Sequence, residues 1–288
     1  MLRILVTGSN GQLGSELRKI HEKYKYYEWV FTDSKELDIT DGELVMNFFE
    51  KNDIDICINC AAYTAVEKAE TNKEQSMLIN CDGVLNLVKV CEKYNVLLIH
   101  ISTDYVFDGY SNEPYDEEDR TNPLNVYGKT KRCGEVNIIE SDCSFIIIRT
   151  SWLYSSFGNN FVKTMLKLGS EKEEINVINN QIGCPTFASD LANTIILIID
   201  NNKKNYIREI FHYCNDGYTN WFEFAKKIFD YSNKLVKVFP ISTEEYGSEV
   251  KRPLYSVLDN RKIKNRYNIE IPCWEESLKR CLEEINKR

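Results

Sequence analysis

The sequence contains no apolar run near the ~20 residues that a helix needs to span a bilayer, so we expect no membrane association. It also has no excess of positive charge: the formal net charge is −8, which argues against a broad nucleic-acid-binding surface. The start, MLRILVTGSNG, has too short an apolar stretch for a signal peptide, because a glycine-rich turn follows at once. These features predict a globular protein of the cytoplasm.

The sequence also lacks a second C-x-x-C motif. The ten cysteines include one C-x-x-C, formed by Cys57 and Cys60, but neither a second C-x-x-C nor a Cys/His cluster accompanies it. Structural metal sites and redox motifs usually need such a partner or a flanking helix start. We therefore expect reduced, mostly buried cysteines and no bound metal.

Apolar runs alternate with amphipathic stretches over the first half of the chain. Five runs are apolar enough to be strands of a parallel sheet covered on both faces: 3–8, 27–33, 54–62, 96–104 and 143–152. The stretches between them are expected to be helices, one of which begins at Thr40 or Asp41. This rhythm predicts an α/β fold with a doubly wound parallel sheet of the Rossmann type.

The rhythm weakens after about residue 150, which suggests a second, smaller lobe. We expect residues 1–150, with returning segments near 175–205, to form a dinucleotide-binding domain. Residues 151–174 and 206–288 are expected to form mainly a discontinuous α/β substrate-binding lobe. Further helices are predicted at 189–202, at 219–232 with Thr219 or Asn220 as N-cap, and at 273–288.

The stretch TGSNGQLG places three glycines, Gly8, Gly11 and Gly14, between the first strand and the first helix. Glycines there permit a tight turn and let a pyrophosphate approach the backbone at a helix N-terminus. Asp33 ends the second predicted strand about twenty residues later, the spacing expected for an acid on the adenosine ribose. An acid favours NADH, whereas Lys35 could meet a 2′-phosphate, so NADPH stays open.

The stretch NPLNVYGKTKRCGE holds Tyr127 and Lys131 at positions i and i+4, which share one face if the stretch is helical. A phenol with a pKa near 10 is a poor proton donor at neutral pH, and a nearby ammonium lowers that pKa. The fourth strand ends in Ser102 and Thr103, at the edge where ligands bind in such sheets. Together these residues predict a catalytic group beside a nicotinamide.

TGSNGQLG, STDYVFDG and YGKTK make the chain similar to the extended short-chain dehydrogenase/reductases, and more closely to the dTDP-4-dehydrorhamnose reductase family. INCAAYTAVEKAE, RTSWLYS, NNQIGCPTFASDLA and KRPLYSVLDNRKI extend the resemblance over essentially the whole chain. The resemblance implies NAD(P)H-dependent reduction of the C4 keto group of dTDP-4-dehydro-L-rhamnose to dTDP-L-rhamnose, with a dTDP-sugar as substrate.

The resemblance also implies roles for individual residues. The catalytic residues would be Thr103, Tyr127 and Lys131. The sugar nucleotide would meet Thr103, Asp104, Tyr105 and Trp152. Independently of the resemblance, Arg252 is a candidate for the diphosphate because its planar guanidinium suits phosphate oxygens, and its alternative role is a surface ion pair. The cofactor would contact Tyr127, Lys131, Gly8, Asn10, Gly11, Gln12, Leu13, Gly14, Asp33, Asp38, Ile39, Ala61, Ala62, Tyr63 and Thr64.

Two positions depart from the family pattern. Ser189 stands where members with a metal-bridged dimer carry a glutamate, so a homodimer here would not be linked by metal. Tyr63 stands where histidine is frequent. Two alternatives remain open from the sequence: a related nucleotide-sugar reductase or epimerase with another substrate, and a non-catalytic subunit like the regulatory partner of methionine adenosyltransferase.

Overall fold

The computed structural model describes residues 1–202 and 206–287 and contains twelve strands. Six of them form one parallel sheet in the order β2-β1-β3-β4-β5-β10. In chain order the strands are β1 Leu2–Thr7, β2 Tyr27–Phe31, β3 Ile56–Asn59, β4 Leu97–Thr103, β5 Phe145–Thr150, β6 Leu153–Tyr154, β7 Glu174–Ile178, β8 Ile182–Gly183, β9 Thr186–Phe187, β10 Arg208–His212, β11 Thr219–Asn220 and β12 Lys237–Ile241.

Twelve α-helices accompany these strands in the described part of the chain. Short 3₁₀ helices occur at His21–Lys23 and Asp104–Val106, and a π-helical turn occurs at Leu78–Asp82. The α-helices are α1 Gln12–Ile20, α2 Gly42–Lys51, α3 Val66–Thr71, α4 Lys73–Met77, α5 Gly83–Tyr94, α6 Val126–Ile139, α7 Phe161–Glu171, α8 Ala188–Asn202, α9 Trp221–Tyr231, α10 Thr243–Tyr246, α11 Arg261–Tyr267 and α12 Trp274–Asn286.

Helices cover both faces of the six-stranded sheet, which confirms the predicted doubly wound α/β fold. One apolar core joins the sheet to α1, α8 and α11, and the other joins it to α2, α5 and α6. All residues of β3 and β5 are buried, as expected for central strands between two helical layers. β1 lies between β2 and β3, so the connections diverge there, and a ligand crevice is expected at the carboxyl ends of these strands.

A second lobe packs around β7, β12 and the helices α7, α9 and α12. Its core is rich in aromatic side chains, and α9 begins where the Asn220 side chain accepts a hydrogen bond from the Glu223 amide (2.8 Å). Asp41 caps α2 in the same way, through the Leu44 amide (2.9 Å). Of the two pairs of predicted N-caps, the structure therefore selects Asp41 and Asn220.

Two strands pair outside the domain in which the sequence placed their segments. β10 pairs with β5 in the large sheet, although residues 206–288 were expected mainly in the second lobe. β7 pairs with β12 in the second lobe, although the returning segment was expected near 175–205. Hydrogen bonding between strands distant in sequence decides both placements. The predicted segments also include 203–205 and 288, which lie outside the described residues.

The helix predicted around residues 72–95 is divided by the π-helical turn, and this turn is covalently linked to α6. Cys81 in the turn and Cys133 in α6 form a disulfide, with 5.3 Å between their Cα atoms. The expectation that all cysteines are reduced is therefore wrong for this pair. Cys57 and Cys60 are free.

Within residues 1–202 and 206–287, no helix is long and apolar enough to cross a membrane.

Candidate active site

A cavity of about 550 Å³ opens at the carboxyl ends of β1, β3, β4 and β5, between the sheet and the second lobe. It brings together most of the residues that the sequence predicted for the site. The predicted residues that line it are Gly11, Gln12, Leu13, Gly14, Ala62, Thr64, Thr103, Asp104, Tyr105, Tyr127, Lys131, Trp152 and Arg252. Those outside its lining are Gly8, Asn10, Asp33, Asp38, Ile39, Ala61 and Tyr63.

The glycine turn forms one end of the cavity, and its geometry requires glycine. Gly8 has a φ of +61°, and a Cβ there would lie 2.6 Å from the Ala61 nitrogen. A Cβ on Gly14 would lie 2.5 Å from the Ser9 Cα. The turn closes through a hydrogen bond from the Gly11 amide to the Gly8 carbonyl (3.0 Å). The N-terminus of α1 therefore faces the cavity with its backbone exposed, as an anionic ligand requires.

Asp33 lies beside this turn, at the end of β2. Asn10 Nδ2 donates a hydrogen bond to one carboxylate oxygen of Asp33, and the Lys35 amide donates to the other (2.8 Å). Asp38 is used locally, because its Oδ1 accepts from both the amide and the hydroxyl of Thr40 (2.9 and 2.8 Å). Ile39 is buried in the core beneath the turn. These contacts hold the rim next to the glycines in one shape.

Thr103, Tyr127 and Lys131 meet in the middle of the cavity. Thr103 ends β4, and the other two lie in the first turns of α6, which begins where the Asn125 side chain accepts from the Gly128 amide (2.8 Å). The Thr103 hydroxyl donates to Asp104 Oδ1 (3.1 Å) and accepts from the Tyr105 amide (3.2 Å), and Tyr127 lines the same part of the cavity. The structure thus brings the three predicted catalytic side chains to one wall.

The electrostatics of Tyr127 differ from the sequence-based expectation. Burial raises the pKa of the Tyr127 phenol to about 12, although the neighbouring Thr103 hydroxyl offsets part of this effect. The Lys131 ammonium was expected to lower that pKa, but Nζ is directed elsewhere: it donates to the Ile101 carbonyl (2.7 Å) and lies 3.2 Å from His100 Nε2. Burial lowers the pKa of Lys131 to about 8, an effect partly offset by the Glu135 carboxylate.

Asp104 and Tyr105 continue the wall next to Thr103. Burial raises the pKa of the Asp104 carboxyl to about 6, although the Ser256 and Thr103 hydroxyls oppose this effect. The rings of Tyr105 and Tyr127 meet edge to face, with centroids 5.5 Å apart. A carboxyl group whose pKa is raised by burial therefore lies beside the predicted proton donor.

The second lobe contributes a tryptophan pair to the opposite wall. Trp152 has a φ of +46° and stacks on Trp221, with ring centroids 3.5 Å apart. A Cβ on Gly183 would lie 2.6 Å from the Trp152 ring, so glycine makes room for it. Trp221 Nε1 donates to Gln181 Oε1 (3.2 Å). Trp221 was not predicted for the site, and its only signal in the sequence is the cap at Asn220, which places it first in α9.

Arg252 forms the ion pair considered for it, and its contact with a diphosphate stays a prediction. Its guanidinium pairs with Glu67 at the cavity rim, and the residue also lines the cavity. Within the described part of the chain, its buried Nε has no hydrogen-bond partner. Because an unpaired buried donor is costly, this position favours an oxygen-rich ligand.

Ser189 stands where family members with a metal-bridged dimer carry a glutamate, and it is buried in the first turn of α8. No group of three or more His, Cys, Asp or Glu side chains in residues 1–202 and 206–287 is arranged to hold a metal ion.

The family model described as the RmlD substrate binding domain matches residues 2–287. The chain belongs to this family. The curated relatives include a dTDP-4-dehydrorhamnose reductase of Aggregatibacter actinomycetemcomitans, 38% identical and aligned over 97% of this chain and 98% of the relative. They also include the spore coat polysaccharide biosynthesis protein SpsK of Bacillus subtilis (strain 168), 39% identical over 99% of this chain and 98% of the relative.

A solved structure extends the similarity of this RmlD-family chain to three dimensions. The dTDP-4-dehydrorhamnose reductase of Bacillus anthracis str. Ames, crystallised in complex with NADP, is 41% identical and superposes with a TM-score of 0.94. The match covers 99% of this chain and 100% of the other. The resemblance that the sequence motifs suggested is therefore confirmed over the full length.

Proposed function

We propose that the protein is a dTDP-4-dehydrorhamnose reductase, which reduces the C4 keto group of dTDP-4-dehydro-L-rhamnose to give dTDP-L-rhamnose. The observation that carries the proposal is one cavity that joins the glycine turn, the Thr103–Tyr127–Lys131 group and the tryptophan wall. Full-length similarity to curated reductases supports the same conclusion. A non-catalytic subunit would not need this set of groups around a single cavity.

The glycine turn fits a dinucleotide because the N-terminus of α1 lines the cavity without a side-chain cap, so that a pyrophosphate can approach its backbone amides. In the proposal, residues 11–13 hold the pyrophosphate, and Asp33, Asp38 and Ile39 surround the adenosine. The predicted path to the nicotinamide consists of Ala61, Ala62, Tyr63 and Thr64. When bound, the reduced nicotinamide supplies the hydride.

Tyr127 is proposed to donate its proton to the sugar oxygen as that oxygen becomes an alkoxide. A buried phenol with a raised pKa can still do this, because an alkoxide is a stronger base than a phenolate. The Thr103 hydroxyl, whose one proton is donated to Asp104 Oδ1 in this structure, would redirect that proton to the same sugar oxygen. Lys131 would hold the nicotinamide ribose. Positioned general acid catalysis of this kind contributes about 10²–10⁴-fold in rate.

Both NADH and NADPH are proposed as cofactors. Asp33 suits a free 2′-hydroxyl, and its carboxylate is fixed by Asn10 and the Lys35 amide. The Lys35 side chain, two residues further along the chain, suits a 2′-phosphate. The similar enzyme of Bacillus anthracis holds NADP.

The opposite wall is proposed to bind the sugar nucleotide. Trp152 and Tyr105 would pack against its rings, Asp104 would accept from sugar hydroxyls, and Arg252 would meet the diphosphate. We further propose a cytoplasmic location, because a dTDP-sugar substrate suits that compartment. We also propose a homodimer without a bridging metal, which size-exclusion chromatography with light scattering would test.

The activity assay supplies dTDP-4-dehydro-L-rhamnose with NADH or NADPH and follows loss of the absorbance of the reduced nicotinamide. Oxidation dependent on this sugar supports the proposal, and no oxidation with either cofactor refutes it. A panel of other 4-keto nucleotide sugars separates this activity from that of a related reductase or epimerase. Co-purification with a methionine adenosyltransferase, without turnover, would favour the non-catalytic alternative.

A further inference from the structure

A chain of buried polar groups runs behind the cavity, from β1 to the lysine of α6. Thr7 Oγ1 donates to Asn59 Oδ1 (2.7 Å), and Asn59 Nδ2 lies 3.0 Å from His100 Nδ1. His100 Nε2 then lies 3.2 Å from Lys131 Nζ. Asn59, His100 and Lys131 are at most 2% exposed, so water does not replace these contacts. His100 is thus the direct neighbour of a cavity residue, although it does not itself line the cavity.

One backbone group fixes which atom donates in each hydrogen bond between these buried polar groups. The Ala61 amide donates to Asn59 Oδ1 (3.1 Å), and an amide N–H can only donate. The Asn59 oxygen is therefore the atom that faces Ala61 and Thr7, and the Asn59 NH₂ group faces His100. As a donor, that NH₂ group requires His100 Nδ1 to accept. A neutral imidazole carries one proton, so His100 holds it on Nε2.

This tautomer acts on Lys131. The Nε2–H of His100 is directed at Nζ, and a neutral amine can accept that hydrogen bond with its lone pair. An ammonium has no lone pair, so it would face the Nε2–H as a second donor. The other contact of Nζ, to the Ile101 carbonyl, is available to both forms. Protonation of Lys131 therefore removes one hydrogen bond from a row of buried polar groups that water cannot reach.

The other titratable groups around Lys131 have a different effect. Glu135, one turn further along α6, favours the ammonium, but its carboxylate is neutralised by Arg149 at 2.9 Å. Cys60, after β3, would favour the ammonium only as a thiolate, and burial raises the pKa of this thiol well above its ordinary value. Tyr127 lies one turn earlier on the same helix and is a neutral phenol. His100 is the neighbour whose proton position opposes the ammonium.

We propose that His100, held by Asn59 as its Nε2–H tautomer, is a positioning residue that sets the protonation of Lys131 and thereby the upper pH limit of turnover. This inference rests on the proposed function, because it assigns a role to Lys131 in the reductase reaction. It goes beyond that function in naming two residues, His100 and Asn59, outside the catalytic group.

The test reverses the tautomer. In Asn59→Asp the carboxylate would accept from Thr7, from the Ala61 amide and from His100, so the imidazole proton moves to Nδ1. Nε2 then accepts from Lys131 and stabilises the ammonium.

We expect the alkaline limb of the kcat/KM profile of this variant to move upward by about one pH unit, a tenfold change in the lysine equilibrium. His100→Gln, which can offer an amide oxygen to Nζ, should move it in the same direction. Exposed His21→Gln is the matched control and should not move it.

Two spectroscopic measurements keep the inference separate from the activity. The sequence has three histidines, so nitrogen-15 NMR of the wild type, assigned with His21→Gln, His212→Gln and His100→Gln, reports the His100 tautomer directly. Carbon-13 NMR at Lys131 Cε, assigned with Lys131→Arg, follows the lysine titration without substrate.

An Nε2–H signal in the wild type and an upward shift of the lysine titration in His100→Gln, which adds no charge, would support the inference, even if the sugar substrate proves to be different. A wild-type Nδ1–H signal, or a lysine titration unchanged in His100→Gln while circular dichroism shows this variant folded, would overturn it. If Asn59→Asp fails to fold, the wild-type tautomer and His100→Gln decide the question.

Discussion

The ion pair beneath the catalytic helix yields a quantitative prediction. Glu135, one turn after Lys131, accepts from Arg149 at two oxygens, with Nε–Oε1 at 2.9 Å and Nη2–Oε2 at 3.0 Å. The two side chains are 0% and 3% exposed. In Glu135→Gln the Arg149 charge stays buried without its counter-charge. Removal of one partner from a buried pair costs about 3–5 kcal/mol, and we expect a loss of unfolding free energy in this range.

The pH dependence of this loss has a defined sign. Burial alone would raise the pKa of Glu135, but the Arg149 guanidinium, together with smaller effects of Ser102 and Arg132, holds the pKa below its ordinary value. The folded state therefore binds this proton more weakly than the unfolded state. The stabilisation is complete above the ordinary carboxyl value of about 4.3 and is lost as the pH falls through the lower folded-state pKa.

Urea denaturation of the cofactor-free protein, followed by circular dichroism and tryptophan fluorescence, measures the loss. Arg132→Gln is the matched control. Arg132 also contacts Glu135 (Nη1–Oε2, 3.0 Å) but is 28% exposed, so its removal should cost only about 0–1 kcal/mol. The double variant Glu135→Leu/Arg149→Met should recover much of the stability, because it leaves no buried charge. Equal losses for Glu135→Gln and Arg132→Gln would refute the reasoning.

Three further predictions concern the cavity. Tyr127→Phe should lower kcat/KM by about 10²–10⁴-fold because the proton donor is lost, and a cofactor titration should give an unchanged Kd. Trp221→Ala should raise KM for the sugar nucleotide about tenfold by removing the stack on Trp152, and an equal change in KM for NADPH would contradict this assignment. Gly8→Ala places a Cβ 2.6 Å from the Ala61 nitrogen at a φ of +61°, so urea denaturation should show a loss of at least about 1–2 kcal/mol and fluorescence titration should show weaker cofactor binding.

Local sequence was sufficient to predict a feature when all the residues that determine it lie in one helix, strand or turn. Tyr127 and Lys131 share a face because they are four residues apart on one helix, and Asn125 starts that helix where its side chain can cap it. The five apolar runs predicted the first five strands of the large sheet, because a strand covered on both faces must be apolar throughout. The glycine turn was predictable because its shape depends on residues adjacent in sequence.

The tertiary structure decided the features that join distant segments. It placed β10 in the large sheet, brought Trp221 onto Trp152, and joined Cys81 to Cys133. No local pattern encodes these contacts, because each depends on how helices and strands pack after the chain has folded.

The same distinction applies to the chemistry of the site. The sequence determined that a tyrosine and a lysine stand together, whereas burial among several strands decided their pKa values. The sequence predicted that the lysine would act on the tyrosine. The fold directs the lysine to Ile101 and His100 instead, because a buried ammonium or amine requires partners that only neighbouring strands supply.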